Sequence, residues 1–344
     1  NITVGGTLSL VSGNLDIGNH ILTLAGSAAV SGSPFFSGRM IIADGGGEIR
    51  KILTGNASFL FPAGDNSGTT EYSPVTVSLT SGTYAVGEYV SVRLINEKPP
   101  SNANPNNYLN RYWVISNAGI TNPVYSDDAV YVPADIIGDD NEISMGKFTG
   151  SIPWVKYNAA NTVTKTVAAS NQSNTGSAAF TGITTSGPVI SIAGSGATIC
   201  SGSSYQLPAT VTGTGPFTYA WTPVTGLNDP TIQNPVATPS GNTTYTLLVT
   251  DANGFQGSAS TTVNVSNATA TISASGPITF CLGNSVTLSA SAGQTYLWSN
   301  GATSKDIIVS ASANYFVTVA NVFGCSTVSS PVTVTVNNLP AVSF

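Results

Sequence analysis

Two stretches of this chain repeat one small pattern, and that repetition limits the fold more than any single motif. The fuller copy runs from Phe280 to Asn338. The other begins at Ile199 as ICSGSSYQLPATV and passes through FTYAWTP and TTYTLLVTDANGFQG to STTVNVSN. In the fuller copy Val286, Leu288 and Ala290 alternate with Ser285, Thr287 and Ser289, the period of two that sends successive side chains to opposite faces of a strand. Tyr296 and Trp298 share a face, as do Tyr315, Val317 and Val319, and then Val332, Val334 and Val336. Asn300-Gly301 reads as a turn, because both residues tolerate positive φ. Phe217, Tyr219 and Trp221 take the place of the Tyr296/Trp298 strand in the first copy, and Tyr245, Leu247 and Val249 that of Tyr315, Val317 and Val319. The copies share a core, and short alternating strands between Gly, Asn and Ser describe antiparallel sandwiches. A β unit repeated end to end builds length and surface rather than an active site.

The remainder is all-β as well, since no segment sustains an i, i+3, i+4, i+7 apolar pattern. Residues 1–64 carry very short apolar runs around Leu8, Leu10, Leu15, Ile17, Ile21, Leu22 and Leu24, broken by Ser-Gly and Gly-Asn corners. They read as rungs of a β-solenoid, the alternative being the opening hairpins of a sandwich. Residues 65–187 read as a β-sandwich with strands at 73–79, 89–95, 112–117, 129–133, 154–158 and 162–169, interrupted by the Pro/Asn-rich loop 98–111. Residues 188–266 and 267–338 are the two tandem modules, and 339–344 starts a linker or a next module. The joints are short, so an elongated arrangement with limited bending is expected. The chain opens in mid-pattern as NITVGG and carries no signal peptide, which reads as a piece of a longer polypeptide.

The order Cys281, YLW at 296–298, NG at 300–301, YFVTV at 315–319, GC at 324–325 and PVTVTV at 331–336 resembles the immunoglobulin-like, PKD-like modules of bacterial surface proteins. Such modules are strung in tandem in large secreted adhesins of Bacteroidetes. The resemblance covers roughly Pro188 to Asn338 and departs from true PKD repeats in lacking their acidic, glycine-rich turn after the Trp. The rungs followed by FPAGD at 61–65 and YSPVTVSL at 72–79 resemble a recurring unit of the same proteins. The resemblance implies export by the type IX secretion route, display at the cell surface, and a part in gliding or biofilm attachment. In that setting Cys281, at the start of the module, and Cys325, just before its last strand, read as a disulfide of an oxidising compartment, the alternative being two buried thiols. Cys200 aligns with Cys281 but meets Phe255 in the place of Cys325, so it reads as an unpaired, buried thiol beside an aromatic plug.

Charged residues are only 8% of the chain, against about 25% in an average soluble protein. With a net charge of −6 and no Lys/Arg cluster, nucleic acid is not an expected partner. No stretch approaches the roughly 20 apolar residues of a membrane helix, so membrane insertion is not expected either. The lone histidine, His20, stands in a turn without a nucleophile motif, and no catalytic residue is assigned. The one acidic concentration is Asp127, Asp128, Asp135, Asp139, Asp140 and Glu142. It admits three readings: a solvated turn, a Ca²⁺ site built on Asp127, Asp128, Asp139, Asp140 and Glu142, or a carboxylate pair for glycoside hydrolysis. The four tryptophans read as core, leaving Tyr108 as the candidate glycan contact. The expectation is a non-enzymatic structural or adhesive segment whose partners are other copies or modules of the same protein, polysaccharide, or host and cell surfaces. Two alternatives stand beside it: a polysaccharide-binding region of a larger extracellular enzyme, and the subunit of a self-assembling filament.

Overall fold

A computed structural model of the chain describes residues 1–173, 176–184 and 186–339; of the segment 339–344 read as a linker, all but Leu339 lies outside the described residues. The described chain is all-β apart from two three-residue 3₁₀ turns, Pro133–Asp135 and Asp140–Glu142. It divides into two compact units. One comprises Asn1–Val189 with Val211–Thr218 and Val249–Gly257. The other comprises Ile190–Thr210, Tyr219–Leu248 and the chain from Ser258 onward.

The first unit begins as expected, with solenoid rungs. Strands Ile2–Val4, Ile21–Leu24 and Glu48–Ile52 stack in parallel, as do Leu15–Asp16, Ile41–Ile42 and Ala63–Asp65. Leu22, Leu24, Ile41 and Ile49 are buried in the stack. The Lys51 ammonium lies inside one corner, where Nζ donates to the carbonyls of Ala25, Gly26 and Ala28 at 2.8, 2.8 and 2.6 Å. Three carbonyls thereby replace the water that the buried cation gave up.

The boundary expected between residues 64 and 65 does not exist as a domain boundary. Strand Glu48–Ile52 pairs in parallel with Ile21–Leu24 on one side and antiparallel with Tyr89–Ile95 on the other. The eight-stranded sheet continues through Tyr112–Ala118, Gly176–Thr184 and Ile143–Phe148 to Val155–Ala159. A single row of paired, buried side chains, Leu22, Ile49, Val92, Ile115 and Ala178, crosses the join. The physical reason is that so few rungs cannot bury their own apolar face, so the sandwich closes the stack. Against this sheet packs a second of four strands, Ser58–Phe61, Val75–Thr83, Thr121–Val130 and Thr166–Gln172, whose row Phe61, Val75, Ala129 and Val167 is buried. The strand expected at 129–133 is the end of Thr121–Val130, and the chain then turns into Pro133–Asp135.

Charge inside this unit is concentrated on Arg111. Its Nη1 donates to Asp65 Oδ2 at 2.6 Å and to Ser73 Oγ at 2.8 Å, and Nη2 donates to Glu71. Nε lies 2.8 Å from Asp135 Oδ2 but off the hydrogen-bond direction, so that contact is ionic. One guanidinium cannot neutralise two buried carboxylates and a half-buried third, and burial pushes Asp135 up to about 6 even against the pull of Arg111. The folded state therefore holds this proton more tightly than the unfolded chain, for which the ordinary aspartate value is about 3.9. The stabilisation is present below the ordinary value and is lost as pH rises through the folded one. Asp135→Asn, which cannot ionise, should gain stability relative to the native chain between about pH 4 and 6, with no further change above about 7. Urea denaturation across that range measures the difference, and a flat difference would contradict it.

The second unit contains most of the first tandem module and all of the second. The first module's sheet runs Ala197–Cys200, Gln256–Ser266, Thr243–Thr250, Thr218–Thr222, with Trp221, Tyr245 and Leu247 buried as the sequence pattern requires. The second packs Val286, Leu288, Ala290, Trp298, Tyr315, Val317, Val319 and Val334 into one cluster. Its YFVTV segment is not one strand. Ala313–Tyr315 pairs with Val332–Asn337, while Val317–Ala320 pairs with Thr295–Trp298, and the exposed Phe316 marks the change of sheet. In each module the second strand lies parallel to the last: Ala197–Cys200 beside Gln256–Ser266, and Thr279–Cys281 beside Val332–Asn337.

Candidate functional site

What stands out in both modules is one turn, built twice. Asp251 Oδ1 accepts from the backbone N–H groups of Asn253 and Phe255, both at 2.9 Å. Asn321 Oδ1 accepts from Phe323 and Cys325 at 3.0 and 3.1 Å. In each turn the first residue's own N–H donates to the fifth residue's carbonyl at 2.9 Å, and Gly254 or Gly324 takes φ near +80°. A side chain that captures two amides fixes the loop, and only glycine adopts the fourth position without strain.

The first turn is seated within the first unit. Asn253 is fully buried: its Oδ1 accepts from Ala103 N at 3.0 Å, its carbonyl accepts from Trp154 N at 3.1 Å, and its Nδ2 reaches Asn102 Oδ1 at 3.5 Å. Trp154, also buried, donates its indole N–H to Ser101 O at 3.2 Å. The Lys156 ammonium lies 5.4 Å from the centre of the Phe255 ring. A Cβ at Gly254 would meet Pro153 at 2.5 Å, so the socket is cut to the glycine. Burial raises the Asp251 carboxyl above its ordinary value, opposed by the amides it accepts from. The Pro/Asn-rich loop expected to be irregular is thus one wall of a socket. Sequence reasoning missed this role, and the available signal was the recurrence of a carboxylate or carboxamide three residues before a glycine at the same place in both copies.

The second turn is seated within the second unit. Asn321 Nδ2 donates to Ser266 Oγ at 2.8 Å and to Asn267 O at 3.4 Å, at the end of the preceding module's last strand. Beside it Cys325 is disulfide-bonded to Cys200, with 5.3 Å between the Cα atoms. This corrects both cysteine expectations: Cys281 does not pair with Cys325, and Cys200 is neither unpaired nor fully buried. The reason is the direction of the strands. Cys281 pairs with Asn337, the final residue of the last strand, and so lies at the module's trailing end. Cys325 lies in the turn at its leading end, with Ser326–Val328 and Val332–Asn337 running between them. Cys200, paired with Ser266, holds the same trailing position one module earlier, and there it meets Cys325. Cys281 is left as an exposed free thiol.

The other residues singled out from sequence do not converge. Asp127 faces the core at a register position between Val77 and Ala169. It accepts from Gln172 Nε2, and burial pushes its carboxyl well above the ordinary range, with Lys147 opposing. Asp128 is exposed on the opposite face. Asp139 accepts from Asn141, Asp140 takes Lys165 Nζ at 2.6 Å and Tyr131 Oη at 3.0 Å, and Glu142 accepts from Ser186 Oγ at 3.4 Å. Among the described residues no three of His, Cys, Asp and Glu converge as a metal-ligand set. Tyr108 has Lys98 Nζ 4.5 Å from its ring centre, which occupies one of the faces a sugar would stack on. All four tryptophans are buried, and Trp113, Trp221 and Trp298 each donate the indole N–H to a backbone carbonyl as Trp154 does. His20 is exposed in its turn.

No protein-family model matches the chain, and no curated protein matches it. Among solved structures, the ICAM-5 D1–D4 ectodomain fragment is 12% identical, with 89% of this chain and 98% of that one covered and a TM-score of 0.29. Sidekick-1 immunoglobulin domains 1–5 are 10% identical over 95% and 81%, at 0.26. The titin domains z1z2 in complex with telethonin are 15% identical over 46% and 100%, at 0.22. With TM-scores this low, what the chain does has to be read from its own geometry.

Asn253→Ala would strip Ala103 N–H of its acceptor inside the socket. The expected cost is about 1 kcal/mol, for a half-buried donor left without its protein acceptor. Urea denaturation followed by tryptophan fluorescence measures it, and a loss within experimental error would show that the socket does not depend on this turn.

Proposed function

We propose that the chain is a non-catalytic, tension-bearing segment of an exported surface protein, serving display or attachment. The observation that carries this reading is the Cys200–Cys325 bridge, which joins two successive modules across a sequence separation of 125. Disulfides persist in oxidising compartments, so the bridge supports an extracellular setting. Among the described residues no helix is long and apolar enough to cross a membrane. Tension entering near Cys200 passes through one covalent bond to Cys325, which spares most of both modules from extension. Together with the seated turn at 251–255, this suits a segment built to transmit force rather than to turn over substrate.

A finer reading, in which the parent protein is a Bacteroidetes adhesin exported by the type IX route and active in gliding or biofilm attachment, is supported by the sequence resemblance of the tandem modules. The partners suited to it are other modules of the same kind and the surfaces they are displayed to. The buried tryptophans and the covered face of Tyr108 favour this over a polysaccharide-binding role.

Pulling the chain by its ends in an optical trap tests the proposal. With the bridge intact the segment between the two cysteines should stay short, and reductant should release roughly 400 Å of additional contour, at about 3.3–3.6 Å per residue. Equal extension with and without reductant would contradict it.

A further inference from the structure

We infer that Cys281 is the unused half of a second inter-module disulfide, and that the trailing end of the second module is a docking site for a module presenting an Asn-x-x-Gly-Cys turn. The observation behind it is that the same site occurs twice, once filled. Cys200 pairs in parallel with Ser266 and Cys281 with Asn337. The next residue's N–H donates to the last strand in both cases, Ser201 to Ser266 O at 3.2 Å and Leu282 to Asn337 O at 2.8 Å. Glycine at positive φ follows in both, Gly202 and Gly283. At the filled site Cys200 is bonded to Cys325, and Ser266 and Asn267 accept from Asn321. At the open site Cys281 is an exposed thiol, Asn337 and Asn338 hold the acceptor positions, and Ile278 and Leu282 stand 39% and 56% exposed beside it. The register, the turn and the cysteine are those of a site whose occupant the first junction already displays.

Closing the bridge converts two thiols to one disulfide. Two protons and two electrons pass to a small-molecule disulfide such as oxidised glutathione, which leaves as two thiols. The inference rests on the modular reading above, and its test separates the two. A second copy of residues 268–338 is joined directly to Asn338, with serine at its own counterpart of Cys281. After treatment with oxidised glutathione and then iodoacetamide, cysteines outside a protein disulfide are counted as adducts of either reagent, by intact mass and peptide mapping. The native chain should take one adduct, at Cys281, and the extended chain none, with Cys281 linked to the appended turn cysteine. Two adducts on the extended chain, with Cys200–Cys325 intact, would overturn the inference and leave the first junction standing. Loss of the Cys200–Cys325 link would overturn both. In a further variant with serine at the appended turn position, amide exchange over 278–284 should slow through docking alone, and unchanged exchange would likewise overturn it.

Discussion

A side-chain oxygen that accepts two backbone N–H groups, Asp251 in one module and Asn321 in the next, is the interaction on which the ordering of this chain depends. The capture fixes the shape of the loop itself. It presents a rigid surface that Asn253 seats among Asn102, Ala103 and Trp154 within the first unit, and that Asn321 and Cys325 seat on Ser266 and Cys200 within the second. One device is reused with different seals, a buried carboxamide in one place and a covalent bond in the other.

The low charge of the chain finds its physical counterpart in the first unit. Few ionic groups are available, and two of the buried cations sit where elements are registered. Arg111 gathers Asp65, Glu71 and Asp135 from three separate segments, and Lys51 closes a solenoid corner with three carbonyls. Breaking such a buried cluster is costly because it strands the remaining charges, so the cluster specifies one arrangement of rungs and sandwich. The row from Leu22 to Ala178 then makes the two parts a single body.

Much of the secondary structure was legible because it is written locally. The alternation around Val286, Leu288 and Ala290 encodes a strand with one buried face, and the Gly/Asn corners before residue 64 encode rungs. What was not legible is relational. Nothing near Cys325 says that its partner lies a module away, because the choice depends on which end of the sandwich each cysteine occupies. The break of YFVTV at Phe316 is likewise set by the two strands that compete for it. Asp135 was visible as one of six acidic residues, but its role depends on Arg111, which sits in a loop with no periodic signal. The repeated turn was in plain view in both copies, and its meaning appears only once each is seated.

Non-reducing peptide mapping of the native chain, alkylated before digestion, tests the central claim most directly. The account requires a linked pair of peptides containing Cys200 and Cys325, with the alkyl group on Cys281. A linked Cys281–Cys325 peptide with alkylated Cys200 would place the bond within one module and contradict the account of how the modules are joined.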